Sequence, residues 1–591
     1  MSHNKKYSEH IQIIQNDKIS LTLSLHCMGL KLIIMKRIQL PIVFTLLLAL
    51  LIACNNANNS SNSEYLATNL TLPIIKETKG LKQLYVNNEP FLIIGAELLN
   101  SSASSIDHMK NIWAHIRSLN VNTVFLPISW QQFEPEEGTF DYSLIDNHIK
   151  SAYDNNLKLV ILWFGSWKNG ESHYTPDWVK IDMERFPRML FKDRKISNTI
   201  SNINRNCLNA DLKAYKKLME RIVQVDKHGT VLMMQIENEV GLLGSTRDFS
   251  SEATKLFEQQ VPGDLIKYIS NNLNKLKPNI YKPYVYNGSK NQGTWEEVFG
   301  KSPNTDELFM AWNYAKYINE LAKVGKAIYN LPTYVNAWDA SGGNLIPGVW
   351  PSGGPNYRML DIWQVGAPNI DVLANDNYST TFGLSAANFV HNENPLLLPE
   401  ACAIWWNDTL SAAPKAFFCF GHFKAMGFSP FGIDHHIYHS NHPIKKAYEV
   451  LDNLRSLITK AQVEDRINGF MEGDNASPAS FQLGDFIFKP GYDLQKDSLI
   501  KGYGLIIQIS EDEFIVSGNA CNVGYESADS SKPNSQLLSV EEGKFVDGKW
   551  VKKRTLNGDE FGIKLPPNPY NIASDVHLDD ISILKIKLFK Y

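Results

Sequence analysis

Eight short apolar runs, each followed by a helix-patterned stretch, fill about residues 80–460 of this 591-residue chain. Few folds accept that rhythm. The runs are Phe91-Leu-Ile-Ile-Gly95, Val121-Asn-Thr-Val-Phe-Leu126, Leu157-Lys-Leu-Val-Ile-Leu-Trp163 and Val231-Leu-Met-Met-Gln-Ile236. Then come Pro332-Thr-Tyr-Val-Asn-Ala337, Ile370-Asp-Val-Leu-Ala374, Pro395-Leu-Leu-Leu398 and Met426-Gly-Phe-Ser-Pro-Phe431. Continuous apolar runs of this length suit parallel strands covered on both faces. Helical patterns lie at 106–119, 143–155, 211–227, 253–275, 306–329 and 443–460. Together they predict an α/β fold, a (β/α)8 TIM barrel with long loops. A doubly wound open sheet is the alternative, but no G-x-G-x-x-G or P-loop follows any strand.

After about residue 463 the texture changes. Ala479-Ser-Phe-Gln482, Gly504-Leu-Ile-Ile-Gln-Ile509 and Glu513-Phe-Ile-Val-Ser517 are short runs separated by Gly, Asp and Asn, and Ile581–Phe589 alternates. This predicts a smaller antiparallel β-domain behind the barrel. The expected organisation is a barrel over 76–462 and a β-sandwich-like domain over 463–591.

The front of the chain reads differently. Met35-Lys36-Arg37 is a basic start, followed by an uncharged run from Ile38 to Ala53 that ends Leu51-Ile-Ala-Cys54. A basic n-region, an apolar h-region and a small residue before the cut describe a signal peptide. The run is shorter than the roughly 20 residues a spanning helix needs. Leu-Ile-Ala-Cys resembles a bacterial lipobox. Residues 1–54 are thus expected to be a leader and lipoprotein signal peptide, with Met35 the true start and Cys54 the lipidated residue. Residues 55–75, rich in Asn and Ser, would be a flexible tether. The implied location is the bacterial cell envelope, lipid-anchored and facing the periplasm or the cell surface.

Residues 1–53 hold six Lys/Arg and two acids, so their removal takes the net charge from -4 to -8. With no long basic run, nucleic acid is disfavoured as a partner. Cys207, Cys402, Cys419 and Cys521 are widely spaced and show no C-x-x-C pattern, so a zinc site is unsupported. Thirteen Trp, 24 Tyr and 28 Phe suit a large core, and also a sugar cleft.

In such a barrel the chemistry sits just beyond the C-terminal strand ends. Those ends offer Glu97, Glu134, Trp163, Trp167-Lys168-Asn169, Glu237-Asn238-Glu239, Trp338, Asn375-Asp376-Asn377-Tyr378 and Glu400. Glu239 after the fourth strand and Glu400 after the seventh would face each other. Glycoside cleavage needs such a pair: one acid protonates the leaving oxygen, the other attacks the anomeric carbon or activates water. Side chains 235, 237 and 239 of an extended strand point the same way. Glu237 is then either a second inward carboxylate holding a sugar hydroxyl or the buried partner of a cation. His435-His436 lacks a third ligand and suits hydrogen bonding better than metal.

The Asn-Glu string and the lone Glu resemble the clan A retaining glycosidases. Trp130-x-x-x-Glu134-Pro-x-x-Gly138-x-Phe140-Asp141 and Gln235-Ile-Glu-Asn-Glu-Val-Gly241 resemble, more narrowly, glycoside hydrolase family 35, the β-galactosidases, in the bacterial branch with a small C-terminal β-domain. Trp163–Asn169, Tyr286–Ser289, Pro351–Pro355 and Pro399-Glu400 share that look. The Trp-x-x-x-Glu-Pro string is also found in family 42. Val240 departs from family 35, where many members have Tyr, and would alter one cleft wall.

The resemblance implies an exo-acting retaining β-galactosidase that needs no cofactor and no metal and takes a galactose-containing glycan. Glu239 would be the acid/base and Glu400 the nucleophile. Glu239 must then start protonated and Glu400 ionised. Asn238 would hold the sugar 2-hydroxyl, Tyr378 would donate to Glu400, and Trp163, Trp167 and Trp338 would stack on sugar. Lys168 and Asn169 are further contacts. The rival readings are another clan A glycosidase, such as an endo-glucanase or mannanase, and a glycan-binding lipoprotein on a dead barrel.

Overall fold

The computed structural model describes residues 71–338, 340, 346–402, 404, 408–492, 501–566 and 580–591. The expected leader, lipidated Cys54 and all of the tether before residue 71 lie outside the described residues. The fold belongs to the compact unit Asn69–Tyr591.

All eight apolar runs form parallel strands: β1 (Ile93–Glu97), β2 (Thr123–Ser129), β3 (Lys158–Lys168), β4 (Val231–Asn238), β5 (Thr333–Trp338), β6 (Val372–Asp376), β7 (Leu397–Ala401) and β8 (Gly427–Pro430). They pair in the order β6-β5-β4-β3-β2-β1-β8-β7. A parallel bridge between Asn377 and Ala401 joins β6 to β7 and brings the sheet round into a barrel. Each strand is followed by a helix: α1 (Ile106–Ser118), α2 (Ser143–Asp154), α3 (Arg205–Val225), α4 (Pro303–Ile328), α5 (Leu360–Gly366), α6 (Phe382–Phe389), α7 (Ala412–Gly421) and α8 (Pro443–Val463). Local chemistry sets the helix starts. The Ser105 hydroxyl accepts from His108 N, and the Asn204 side chain accepts from Asn206 N and Cys207 N. Ser302 caps α4 with Pro303 in its first turn. The helix expected over 253–275 is split into Ser251–Phe257 and Gly263–Asn271. Pro262, which lacks an N–H and restricts the residue before it, stands at the break.

The strands separate an inner core from an outer one. Phe125, Val160, Leu162, Phe164, Tyr334 and Leu397 fill the barrel interior, and Leu84 and Val86 join them from an antiparallel sheet at 74–90 that precedes β1. Odd-numbered β3 residues such as Leu159, Ile161 and Trp163 face the helices instead.

The chain then forms β9 (Ile467–Met471), β10 (Phe481–Leu483), β11 (Phe486–Gly491), β12 (Tyr503–Gln508), β13 (Glu513–Asn519), β14 (Asn522–Ser527), β15 (Ser535–Val546), β16 (Lys549–Thr555) and β17 (Ser582–Lys590). A six-stranded sheet β9-β12-β13-β17-β15-β16 faces a three-stranded one, β10-β11-β14, across a Phe-rich core. Its other face meets the barrel helices: Phe417 of α7 packs edge-on against Tyr503, and Asn453 of α8 donates to Phe545 O at 2.7 Å.

Candidate active site

The tip of β4 departs from strand geometry. Glu237 and Glu239 both adopt left-handed backbone angles, φ 62° and 44°. Such conformations persist only where the surroundings hold them. Here Gln235 Nε2 donates to Glu237 O at 2.9 Å, Asn169 N to Asn238 O at 3.2 Å and Gly170 N to Glu239 O at 3.1 Å. From the β5 side, Asn336 Oδ1 accepts from Glu239 N at 3.1 Å.

This kink separates the three residues that a regular strand would alternate. Glu237 turns away from the barrel mouth, and neither expectation for it holds. Its carboxyl accepts from Ser166 N at 3.0 Å and Trp167 N at 2.7 Å, and hydrogen-bonds to the Asp211 carboxyl of α3. Asp211 also receives Trp163 Nε1, Ser166 Oγ and the Tyr317 hydroxyl at 2.6–3.0 Å. With these donors Asp211 is the acceptor, and Glu237 carries the shared proton; burial first, then Asp211, holds Glu237 well above the usual carboxylate range. Its partner is another acid rather than a cation. Gly165 makes room for this pair, because a Cβ there would lie 2.3 Å from Trp163 Nε1 and 2.6 Å from Glu237 Oε1.

Trp163 and Trp167 also need correcting as sugar platforms. β3 continues to Lys168, so Trp163 is a mid-strand residue facing α3, packed on Phe133 and Tyr215. Trp167 donates to Ile200 O and packs edge-on to Tyr314 and Tyr317. Both rings are fully buried. Glu134, in the Trp-x-x-x-Glu-Pro string, is likewise internal: it accepts from Trp130 Nε1 at 2.8 Å and Gly138 N at 2.7 Å, and so fixes its own loop.

The remaining strand-end residues converge. Glu400 is 4% exposed and Glu239 7%. Glu400 accepts from three side chains: the Tyr378 hydroxyl at 2.9 Å, Asn238 Nδ2 at 3.2 Å and Asn336 Nδ2 at 3.4 Å. Lys168 Nζ donates to Asn238 Oδ1 at 2.8 Å, which orients that amide toward Glu400. Asn336 Nδ2 also donates to Asp376 Oδ2 at 2.6 Å. Glu97 closes the cluster from β1; neither of its carboxyl oxygens has a partner among the described residues.

Four carboxyls thus surround one cation. Burial, then the charge of Glu400, pushes the Glu239 pKa up to about 8, against a smaller lowering by Lys168. Glu97 and Asp376 are held well above their ordinary values, by burial first and Glu400 second. Burial opposes the charge of Lys168, but the surrounding carboxylates outweigh it and raise its pKa. The sequence offers Lys168 only as a further contact and assigns no role to Asn336 or Asp376. The signal for the latter two was only their place at strand ends.

Trp338 ends β5 with 40% of its surface exposed, the one expected platform with a free face. Asn169 contributes its N–H to Asn238, while its buried Oδ1 has no partner among the described residues. Val240 lies in the hydrophobic core. His435 Nδ1 accepts from Ile437 N, and the His435 and His436 rings lie 4.0 Å apart. Among the described residues no group of His, Cys, Asp and Glu could hold a metal ion, and Cys207, Cys402, Cys419 and Cys521 are free and buried.

Residues 102–396 match the glycoside hydrolase family 42 model, described as beta-galactosidase. Over that stretch the chain is similar to glycoside hydrolase family 42. This overturns the family 35 assignment: the matched family is 42, which shares the Trp130-x-x-x-Glu134-Pro135 string, and the departure seen at Val240 loses its meaning. Beyond that stretch, residues 444–566 match a domain of unknown function, DUF5597. No curated protein sequence matches the chain. Similar solved structures include the β-galactosidase of Bacillus circulans sp. alkalophilus, at 12% identity and TM-score 0.44 over 63% of this chain and 57% of that one. Another is a catalytic mutant of a family 42 β-galactosidase from G. stearothermophilus, at 13% identity and TM-score 0.42 over 62% and 57%. The chain spans 57% of the length of each.

Proposed function

We propose that this chain is a retaining exo-β-galactosidase that removes terminal non-reducing β-D-galactose from oligo- or polysaccharides. Glu239 is the acid/base and Glu400 the nucleophile. The observation that carries the reading is the contrast between these two carboxyls: one held protonated with its pKa near 8, the other ringed by three hydrogen-bond donors. Environments that push two acids apart in this way assign the acid and the base.

In the first step Glu400 attacks the anomeric carbon as Glu239 gives its proton to the leaving oxygen. In the second, Glu239 takes a proton from water, which displaces the sugar from Glu400. Direct attack needs carboxyls roughly 5–5.5 Å apart. Asn238 is already fixed by Lys168 and bonded to Glu400, a place from which it can hold the sugar 2-hydroxyl. The unpartnered oxygens of Glu97 suit the donor hydroxyls of a polyol. Trp338 offers a ring face for the aglycone. The low exposure of Glu239 and Glu400 favours a blind pocket and exo action. Residues 76–462 form the catalytic unit in this reading, and 463–591 the appended β-domain.

The test is a panel of aryl β-glycosides and galactosylated oligosaccharides, with the anomeric form of the released sugar followed by NMR. Release of β-galactose as first product supports the reading; release of α-galactose or of oligomers refutes it. The Met35–Cys54 pattern supports lipid anchoring in a bacterial envelope, which incorporation of labelled fatty acid, lost in Cys54→Ala, would test.

A further inference from the structure

We propose that the N-terminal face of the barrel carries a second, non-catalytic site: a cationic groove that binds a uronate-bearing oligosaccharide. Two cavities of about 750 Å³ and 490 Å³ share Phe91, Lys158 and Arg455, and so form one continuous groove. Each falls within the ~300–1,000 Å³ typical of small-molecule sites. One wall is the antiparallel sheet at 74–90, the other is α8; the floor is the start of β1 and β3. The groove lies at the opposite end of the strands from Glu239 and Glu400.

The charge of the groove sets the ligand class. Lys79, Arg117, Lys158 and Lys460 line it, and none is ion-paired among the described residues. Of the acids present, Asp452 is bound by Arg455 at 3.3 Å, and Glu464 is bound by Arg466 and also feels the charges of Lys79 and Lys460; with Glu89 the lining holds three acids against five cations. This excess sits on a chain whose net charge is -4. Lys158 is half-buried, its ammonium donating to Gly229 O at 2.6 Å. Burial outweighs the charge of Asp226, whose carboxylate is itself bonded to Thr230 N and Val231 N, and an anion in the groove would offset the remaining cost.

Length and rings point to a sugar chain rather than a lone ion. Tyr85 and Phe91 form half-buried apolar wall, and at the far end Tyr153 and His228 stack at 3.9 Å and 12° as an exposed ledge. Beside Tyr85 and Phe91 in the larger cavity, Gln83 donates to Thr459 O and Gln462 Oε1, while its own Oε1 has no partner among the described residues. Cations for carboxylates, ring faces for apolar sugar faces and an amide for hydroxyls, spread along one groove, match an acidic oligosaccharide.

The experiment is affinity electrophoresis and calorimetry of the whole chain with polygalacturonate, neutral galactan and inorganic phosphate. Expected is binding to polygalacturonate that weakens with added salt. It should fall about tenfold in a Lys79→Ala/Lys460→Ala double variant, with hydrolysis of a small aryl β-galactoside unchanged. Lys158→Met should weaken it further. Because Lys79 and Lys460 are exposed, the double variant decides the matter even if Lys158→Met fails to fold. No binding, equal binding by the double variant, equal binding to neutral galactan, or displacement by phosphate as readily as by galacturonate oligomers would overturn the proposal.

Discussion

Tyr378 donates its hydroxyl to one oxygen of Glu400 at 2.9 Å, while Asn238 donates to the other at 3.2 Å. The carboxyl is therefore gripped at both oxygens, from β6 and from β4. Glu239, next to Asn238 in sequence, has its N–H taken up by Asn336 and its carboxyl pushed toward the protonated form. One short segment, 238–239, thus serves both acids.

Substitution should separate their roles. Glu400→Ala should abolish turnover of every substrate. Glu239→Ala should lower kcat/KM by about 10²–10⁴ on substrates with poor leaving groups, and far less on activated aryl galactosides whose oxygen needs no proton. Steady-state kinetics over a leaving-group series measures this; equal losses on all substrates would reverse the assignment.

The pH profile carries a second prediction. Glu239 is raised to about 8, so it holds its proton below that pH and loses it above. The alkaline limb of kcat/KM should therefore fall near pH 8, instead of near the ordinary carboxyl value. A limb that persists unchanged in Glu239→Gln would show that another group causes it.

Lys168 is the sole cation in the carboxyl cluster among the groups that shift these acids, and it lowers Glu239 and Glu97. Its loss should let both rise. Lys168→Met is expected to move the alkaline limb upward and, by freeing the Asn238 amide, to lower kcat about 10- to 100-fold. A drop in activity with no movement of the limb would reduce Lys168 to a scaffold role.

For the buried acid pair the expected effect is on folding. Glu237→Ala strips partners from the N–H groups of Ser166 and Trp167, each costing about 1–3 kcal/mol when left unsatisfied. Urea unfolding should show a loss in that range or above. Glu237→Gln, which mimics the protonated acid, should keep most of the stability.

Glu97 tests the tension between stability and use. Its pKa is raised by burial, so the folded state holds a proton that the unfolded state has lost above the ordinary carboxyl pKa. That contribution is present at low pH and disappears as pH rises. Glu97→Gln should therefore raise Tm by about 2 °C or more at pH 8 and little at pH 4, while lowering kcat/KM. Calorimetry at the two pH values checks the sign.

The barrel was legible because buried parallel strands leave continuous apolar runs, and all eight can be read from Phe91 to Phe431. The place of Glu239 and Glu400 at the barrel mouth was legible because one follows β4 and the other lies near the end of β7. The failures have separate physical causes. Alternation reasoning assumes a regular strand, yet positive φ at 237 and 239 turns Glu237 into the outer layer. β3 runs five residues past Trp163, which leaves that ring among the helices. Lys168, Asn336 and Asp376 meet only through parallel pairing of strands far apart in sequence, and short-range pattern carries no trace of that.

The plug formed by Leu84 and Val86 has a practical consequence when set beside the family match. Residues 102–396 contain β2 to β6 and stop short of both Glu97 and Glu400. A piece cut at those limits would be five staves of an eight-stave cask, without its bottom. Two unpaired strand edges would then face water, a template for aggregation. Any workable miniature must keep the segment before β1 as well as the last two strands and α8.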